Sequence, residues 1–153
     1  MKLRLLLRFF RLRILRCEQG ASLVEIGLVL PILLFIVMAT VDFAREYYFA
    51  NEVAGGARAG AIYGTTNPSD TTGITNAVKY DAPDVTDVNV SSSWGCECSD
   101  GTSASTSCSA APTCSANVVY YVKVTATASY TTILPWTGIP SSLSLSSTSE
   151  MRY

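Results

Sequence analysis

Two groups of residues have types and spacing suited to chemistry, and one common group is missing. Glu25 stands inside the longest apolar stretch of the 153-residue chain. A carboxylate at the centre of a membrane helix costs on the order of 2.5–3.5 kcal/mol, and less near an interface, so it calls for a partner. Four cysteines, Cys96, Cys98, Cys108 and Cys114, crowd into the 27 residues of 91–117, and a fifth, Cys17, lies far from them. Thiols so placed cross-link or hold a metal. The chain has no histidine, which excludes Ser-His-Asp and Cys-His nucleophile systems, histidine-ligated metals and histidine general bases. Acids such as Asp84, Asp87 and Asp100 stand in turn or strand-edge contexts, and no catalytic constellation is visible. The expectation is a protein that is not an enzyme and that carries no cofactor and no catalytic metal.

The residues before Glu25 suggest what its partner is. They read Gly20-Ala21-Ser22-Leu23-Val24-Glu25-Ile26. Cleavage after Gly20 would make Ala21 the first residue and Glu25 the fifth. A helical i,i+4 relation then brings the new α-ammonium of Ala21 close to its own Glu25, or within reach of a neighbour's. The plainer reading puts Glu25 at the headgroup boundary of a simple anchor helix.

Both readings need an element that holds Glu25 in an apolar setting. The sixteen residues from Ile26 to Val41 carry no charge, and counted back to Ala21 the run has 21 residues interrupted only by Glu25. A helix of that length spans roughly 31 Å, against about 30 Å for a bilayer core. Charge is distributed unevenly around it. Residues 1–20 hold six basic side chains against Glu18, whereas from Asp42 onward there are five basic and ten acidic residues, so the net charge of −1 hides a +5 leader and a −5 C-terminal region, with Glu25 between them closing the sum. The basic side faces the cytoplasm, which sends the C-terminal region outside. A secretory signal peptide is the competing reading, but its apolar core is about 7–15 residues long and Ala39-Thr40-Val41-Asp42 is a poor cleavage site. The leader sets Arg4, Arg8 and Arg11 on one helical face, as a helix lying on an anionic membrane surface would, or else it is an unstructured basic segment. The near-neutral total argues against nucleic acid as a partner.

Gly20, Ala21 and Glu25 together resemble a type IV prepilin processing site. The wider stretch of residues 18–64 resembles the TadE-like family, pilin-like (pseudopilin) proteins of the tight-adherence (Flp, type IVb) pilus system. The matching pieces are Gly20-Ala21, Val24-Glu25-Ile26, Pro31 within the apolar run, Val41-Asp42-Phe43, and Gly56-Ala57-Arg58-Ala59-Gly60-Ala61. Ile26 departs from the pattern, which commonly has Phe or Tyr there. The resemblance implies an α+β pilin-like fold and cleavage between Gly20 and Ala21 by a prepilin peptidase. It implies a bacterial inner-membrane protein with its N-terminus in the cytoplasm, and its partners would be other pilins and minor pilins, the assembly platform and membrane lipid. The new amine of Ala21 is the atom that N-methylation would modify. An uncleaved single-span scaffold or adaptor of the same machinery is the alternative.

The expected organisation is a leader over 1–20, a membrane or filament-core helix over 21–41, its soluble continuation over 42–64 and a β-rich domain over 65–153. Phe43, Tyr47, Ala50, Ala54, Ala57 and Ala61 keep helical spacing beyond the membrane. A helix over residues 21–63 would be roughly 64 Å long. Pro31 removes one backbone hydrogen bond, so a kink or local melting is expected there. Gly56 and Gly60 form a GxxxG pair that serves either packing within the chain or a dimer. A short helix is expected over 74–80. Strands are expected around Val85, Val88 and Val90, over 122–129 where polar and apolar residues alternate, and around Leu143 and Leu145. Ile133-Leu134-Pro135-Trp136 would cover the sheet edge or form an exposed contact. The segment 91–117 reads as a long Cys-bearing loop. In an oxidising compartment its four thiols are expected to form two disulfides, with Cys96 and Cys98 each paired to Cys108 or Cys114, because a Cys96–Cys98 ring would be strained. A four-cysteine zinc site competes, although the spacing lacks the usual C-x2-C knuckles.

Overall fold

The computed structural model describes residues 18–106, 108–110, 112–115, 117–134, 138 and 140–153. The leader before Glu18, with Cys17, and Pro135 and Trp136 of the apolar loop lie outside the described residues. Contacts divide the chain into two units, Met1–Val41 and Asp42–Tyr153.

Helix α1 spans Glu18–Thr66 and contributes to both units. Leu, Ile, Val, Met and Ala make up nearly half of it, and Leu, Met and Ala in particular propagate a helix with little strain. It runs unbroken through Pro31, so the local melting expected there does not occur. It ends a little later than expected, where Asn67 donates its N–H to the Tyr63 carbonyl (3.2 Å) and Pro68 stops further propagation.

A second helix, α2 at Thr71–Asp81, follows a built N-cap. The Asp70 carboxylate accepts the Gly73 N–H at 2.9 Å and the Tyr63 hydroxyl, also at 2.9 Å. The cap therefore satisfies an orphan donor of α2 and fastens it to α1. These bonds, the Gly73 N–H first, hold the Asp70 carboxyl below the usual carboxylate range. Helix α2 buries Ile74 and Val78 against Val53, Ala57 and Ala61 of α1. Gly56 and Gly60 permit the approach: a Cβ on Gly56 would meet the Val78 carbonyl at 2.9 Å, and one on Gly60 would meet Val78 Cγ2 at 2.6 Å. The GxxxG pair is thus used for packing inside the chain.

Four antiparallel strands complete the second unit: β1 (Asn89–Cys98), β2 (Ala104–Ser105), β3 (Val118–Thr131) and β4 (Ser142–Arg152), in the order β2-β1-β3-β4. In β3 the side chains of Val122, Val124, Ala126, Ala128 and Tyr130 are buried, and Lys123, Thr125, Thr127 and Ser129 alternate with them on the outer face, as the period of two requires. The register sets Trp94 of β1 and Met151 of β4 opposite Val122. The expected α+β architecture is present: in this unit the helix packs on an antiparallel sheet through one core of Val53, Ala57, Ala61, Ile74, Val78, Val122 and Val124.

Two expectations are corrected. The strand anticipated around Val85, Val88 and Val90 begins only at Asn89 and runs on to Cys98, so residues 91–98 are strand rather than loop. Pairing with β3 over ten residues imposes that conformation on a Ser- and Gly-rich sequence of weak strand propensity. Second, the sheet has four strands because the short β2 folds back onto Cys96 and Glu97. Of the pairings left open by the sequence, the structure holds one bond. Cys98 and Cys114 are joined, with their Cα atoms 5.5 Å apart, whereas Cys96 and Cys108 are free thiols.

Candidate functional site: a bare apolar helix carrying one carboxylate

In residues 22–41 the helix exposes nearly every side chain. Leu23 is 72% exposed and Leu28 67%, and Val29, Leu30, Ile32, Leu33, Leu34 and Ile36 are similar. A globular protein in water does not present so many large apolar side chains without a cover. This is the one helix among the described residues that is long and apolar enough to cross a membrane. Glu25 is its only charged residue between positions 22 and 41. It is exposed and borders a shallow surface depression with Ile26, Val29, Leu30 and Leu33. Among the described residues it has no salt-bridge partner.

Gly20 lies in α1, and a Cβ added there would touch nothing within 4 Å. The backbone of Ala21 belongs to the same helix. The structure therefore places Gly20, Ala21, Glu25 and Pro31 along one helix. The cysteines belong to the sheet and its excursion, in the second unit. No group of three or more acidic or cysteine side chains among the described residues is arranged to hold a metal ion.

At the start of the second unit, the polar side chain that sequence reasoning left without a role is Asp42. It is 4% exposed, the one buried charged residue of the described core. The Tyr130 hydroxyl donates to Asp42 Oδ1 at 2.7 Å and to the Asp42 carbonyl at 3.0 Å. The Ile133 N–H also donates to Oδ1, at 3.2 Å. Burial first, and then the hydrogen bond to Asp42, pushes the Tyr130 hydroxyl up to about 12, which keeps it a donor at any physiological pH. Phe49 packs against the Tyr130 ring at 5.6 Å, and the Arg45 guanidinium lies 5.9 Å from its centre. Asp42 thus ties the helix to the end of β3. The partner lies 88 residues away in sequence, and the only local signal was an acid directly after the apolar run.

The order of these features along the chain is Gly20-Ala21, an exposed apolar run with Glu25, a buried acid at position 42, then small residues against a second helix. Residues 20–61 match the family model described as TadE-like protein. This segment is TadE-like. No curated protein and no solved structure matches the chain. A TadE-like segment suggests a Tad pilus-associated protein, and the one long apolar helix among the described residues is consistent with a single-pass membrane protein. Within the TadE-like segment, 22–41 is solvent-facing apolar surface and 42–61 contributes to the core of the globular unit.

Proposed function

We propose that this protein is a minor pilin, or pseudopilin, of the tight-adherence (Flp, type IVb) pilus. It is inserted in the bacterial inner membrane with its N-terminus in the cytoplasm and its globular unit in the periplasm. A prepilin peptidase cuts it after Gly20, removing a +5 leader and leaving 133 residues with net charge −6. The apolar helix then packs among the helices of other pilins, in a role that is structural rather than catalytic and serves pilus assembly, adhesion or biofilm formation. The observation that carries this reading is Glu25, the single charge on an otherwise bare apolar helix that begins just before a Gly-Ala bond.

The physical argument is one of charge pairing. A carboxylate among packed apolar helices is tolerated when a cation neutralises it. Cleavage creates such a cation, the α-ammonium of Ala21, one helical turn from Glu25. Paired with the amine of an adjacent subunit, Glu25 sets the axial register of one helix against the next, whereas an apolar residue would allow sliding. The assembly platform and membrane lipid contact the same surface before incorporation.

One observation favours an uncleaved single-span scaffold as the second reading. The Gly20–Ala21 bond lies within helix α1 rather than in an extended segment.

The test is Glu25→Ala in a strain lacking the wild-type gene, with pili counted and membrane-inserted protein quantified together. The proposal expects pili to be lost while the variant stays in the membrane at its normal level. Pili at wild-type number with Glu25→Ala would remove the pairing role and favour the scaffold.

A further inference from the structure

We propose that Cys96 and Cys108 form a second disulfide in the protein as it exists outside the cytoplasm, interleaved with Cys98–Cys114. The inference rests on the extracytoplasmic placement proposed above and fixes which of the two open pairings is used.

Three features place the thiols together. Cys96 and Cys98 are two residues apart on β1, so both point to the same face of the sheet, and both are fully buried. The Cys98 sulfur is already bonded to Cys114, which leaves Cys108 as the one remaining partner among the described cysteines. Strand β2 pairs Ser105 directly with Cys96, and three residues later a 310 turn at Cys108–Ala110 carries the second thiol. The turn therefore starts close to Cys96, and the Cys108 thiol is in hydrogen-bond contact with that of Cys96. The resulting bonds, 96–108 and 98–114, overlap in sequence, so together they hold the whole excursion of 99–117 against the end of β1.

The chemistry balances with a disulfide-bearing oxidant, such as a periplasmic dithiol oxidase in its oxidised form. Cys108 is half-buried and Cys96 has no exposed surface, so Cys108 is the sulfur that attacks. Its thiolate displaces one sulfur of the oxidant as a thiol and leaves a mixed disulfide. Cys96 then attacks the Cys108 sulfur and releases the second thiol. In sum, two protein thiols and one oxidant disulfide give one protein disulfide and two oxidant thiols. Burial, and next the hydrogen bond that the Cys108 S–H donates to Cys96, pushes the Cys108 thiol up to about 11. Thiolate is the reactive form, so the raised value slows attack by Cys108 in the folded dithiol at neutral pH.

The test uses the full chain in its native membrane. Cells are acid-quenched and the denatured protein is alkylated with N-ethylmaleimide. It is then digested without reductant by proteases that cut after Glu97, after Asp100 and between Ala110 and Ala111, which separates all four cysteines. The expected product is a Cys96–Cys108 linked peptide beside the Cys98–Cys114 one. Alkylated Cys96 and Cys108 beside an intact Cys98–Cys114 bond would overturn the proposal, as would 96–114 with 98–108. If all four thiols are reduced in cells, the extracytoplasmic placement fails. The pairing is then decided on detergent-purified full chain in oxidised glutathione. There, a 96–108 link upholds it, and a lasting glutathione adduct on Cys108 with Cys96 free overturns it.

Discussion

Residues 22–41 and 42–61 lie on one helix and in one TadE-like segment, yet they are built for opposite surroundings. The first stretch is made mostly of large apolar side chains that are exposed, and its one acid, Glu25, is exposed as well. The second is built from small residues, Ala57, Gly60 and Ala61 among them, which are buried beneath α2 and β3. Its first acid, Asp42, is buried and satisfied by Tyr130 and Ile133. The difference shows that a helical segment's composition reports what covers it. Large apolar residues face lipid or other subunits, whereas small residues admit a neighbouring backbone of the same chain. It also shows two ways of holding a carboxylate. Asp42 has its partners within the chain, and Glu25 waits for one from outside.

Substitutions that treat the two stretches alike should break this comparison. Gly60→Leu has the largest expected effect. Its Cβ would stand 2.6 Å from Val78 Cγ2 and 3.2 Å from Val124 Cγ1, and overpacking of this kind costs about 3 kcal/mol or more when the wall includes a strand. Denaturant unfolding followed by the near-UV signal of the globular unit should report that loss. Asp42→Ala comes next. The Ile133 N–H loses its acceptor, while the Tyr130 hydroxyl keeps the carbonyl of residue 42, so the expected cost is about 1–3 kcal/mol in the same unfolding experiment. Asp42→Asn should lose less, because its amide oxygen can still accept.

The α2 cap gives a smaller, pH-dependent effect. The Asp70 carboxyl is held below its ordinary value, so the unfolded state binds the proton more readily. The cap's contribution is complete at neutral pH and declines as pH falls through the acid range below about 4. Asp70→Ala should lower the melting temperature slightly at pH 7 and leave it unchanged against wild type at the acid end. Equal differences at both pH values would contradict the capping role. Smallest of all, Leu33→Ala should shift the unfolding of the globular unit by less than about 0.5 kcal/mol, since Leu33 is 54% exposed and belongs to the other unit. A Leu33→Ala loss as large as that of Gly60→Leu would erase the contrast between the stretches.

Sequence patterns exposed some of these features and concealed others for physical reasons. The long helix and Glu25 are legible because hydropathy is local, and a lone charge in an apolar run stands out without any knowledge of tertiary contacts. Strand β3 is legible because one of its faces is buried, which prints a period of two onto residues 122–129. Strand β1 is not, since Ser91-Ser92-Ser93 and Gly95 have no strand preference of their own and take their conformation from ten paired residues of β3. The role of Asp42 depends on Tyr130, and no spacing rule links residues so far apart. Which thiols come near one another likewise depends on the β1–β2 register, which sets Ser105 opposite Cys96.

The central claim is that Glu25 acts as the fifth residue of a processed chain. N-terminal sequencing of the protein purified from membranes of cells that contain the prepilin peptidase tests it most directly. The account predicts a chain that begins Ala21-Ser22-Leu23-Val24-Glu25, whereas a chain that still begins at Met1 would contradict it.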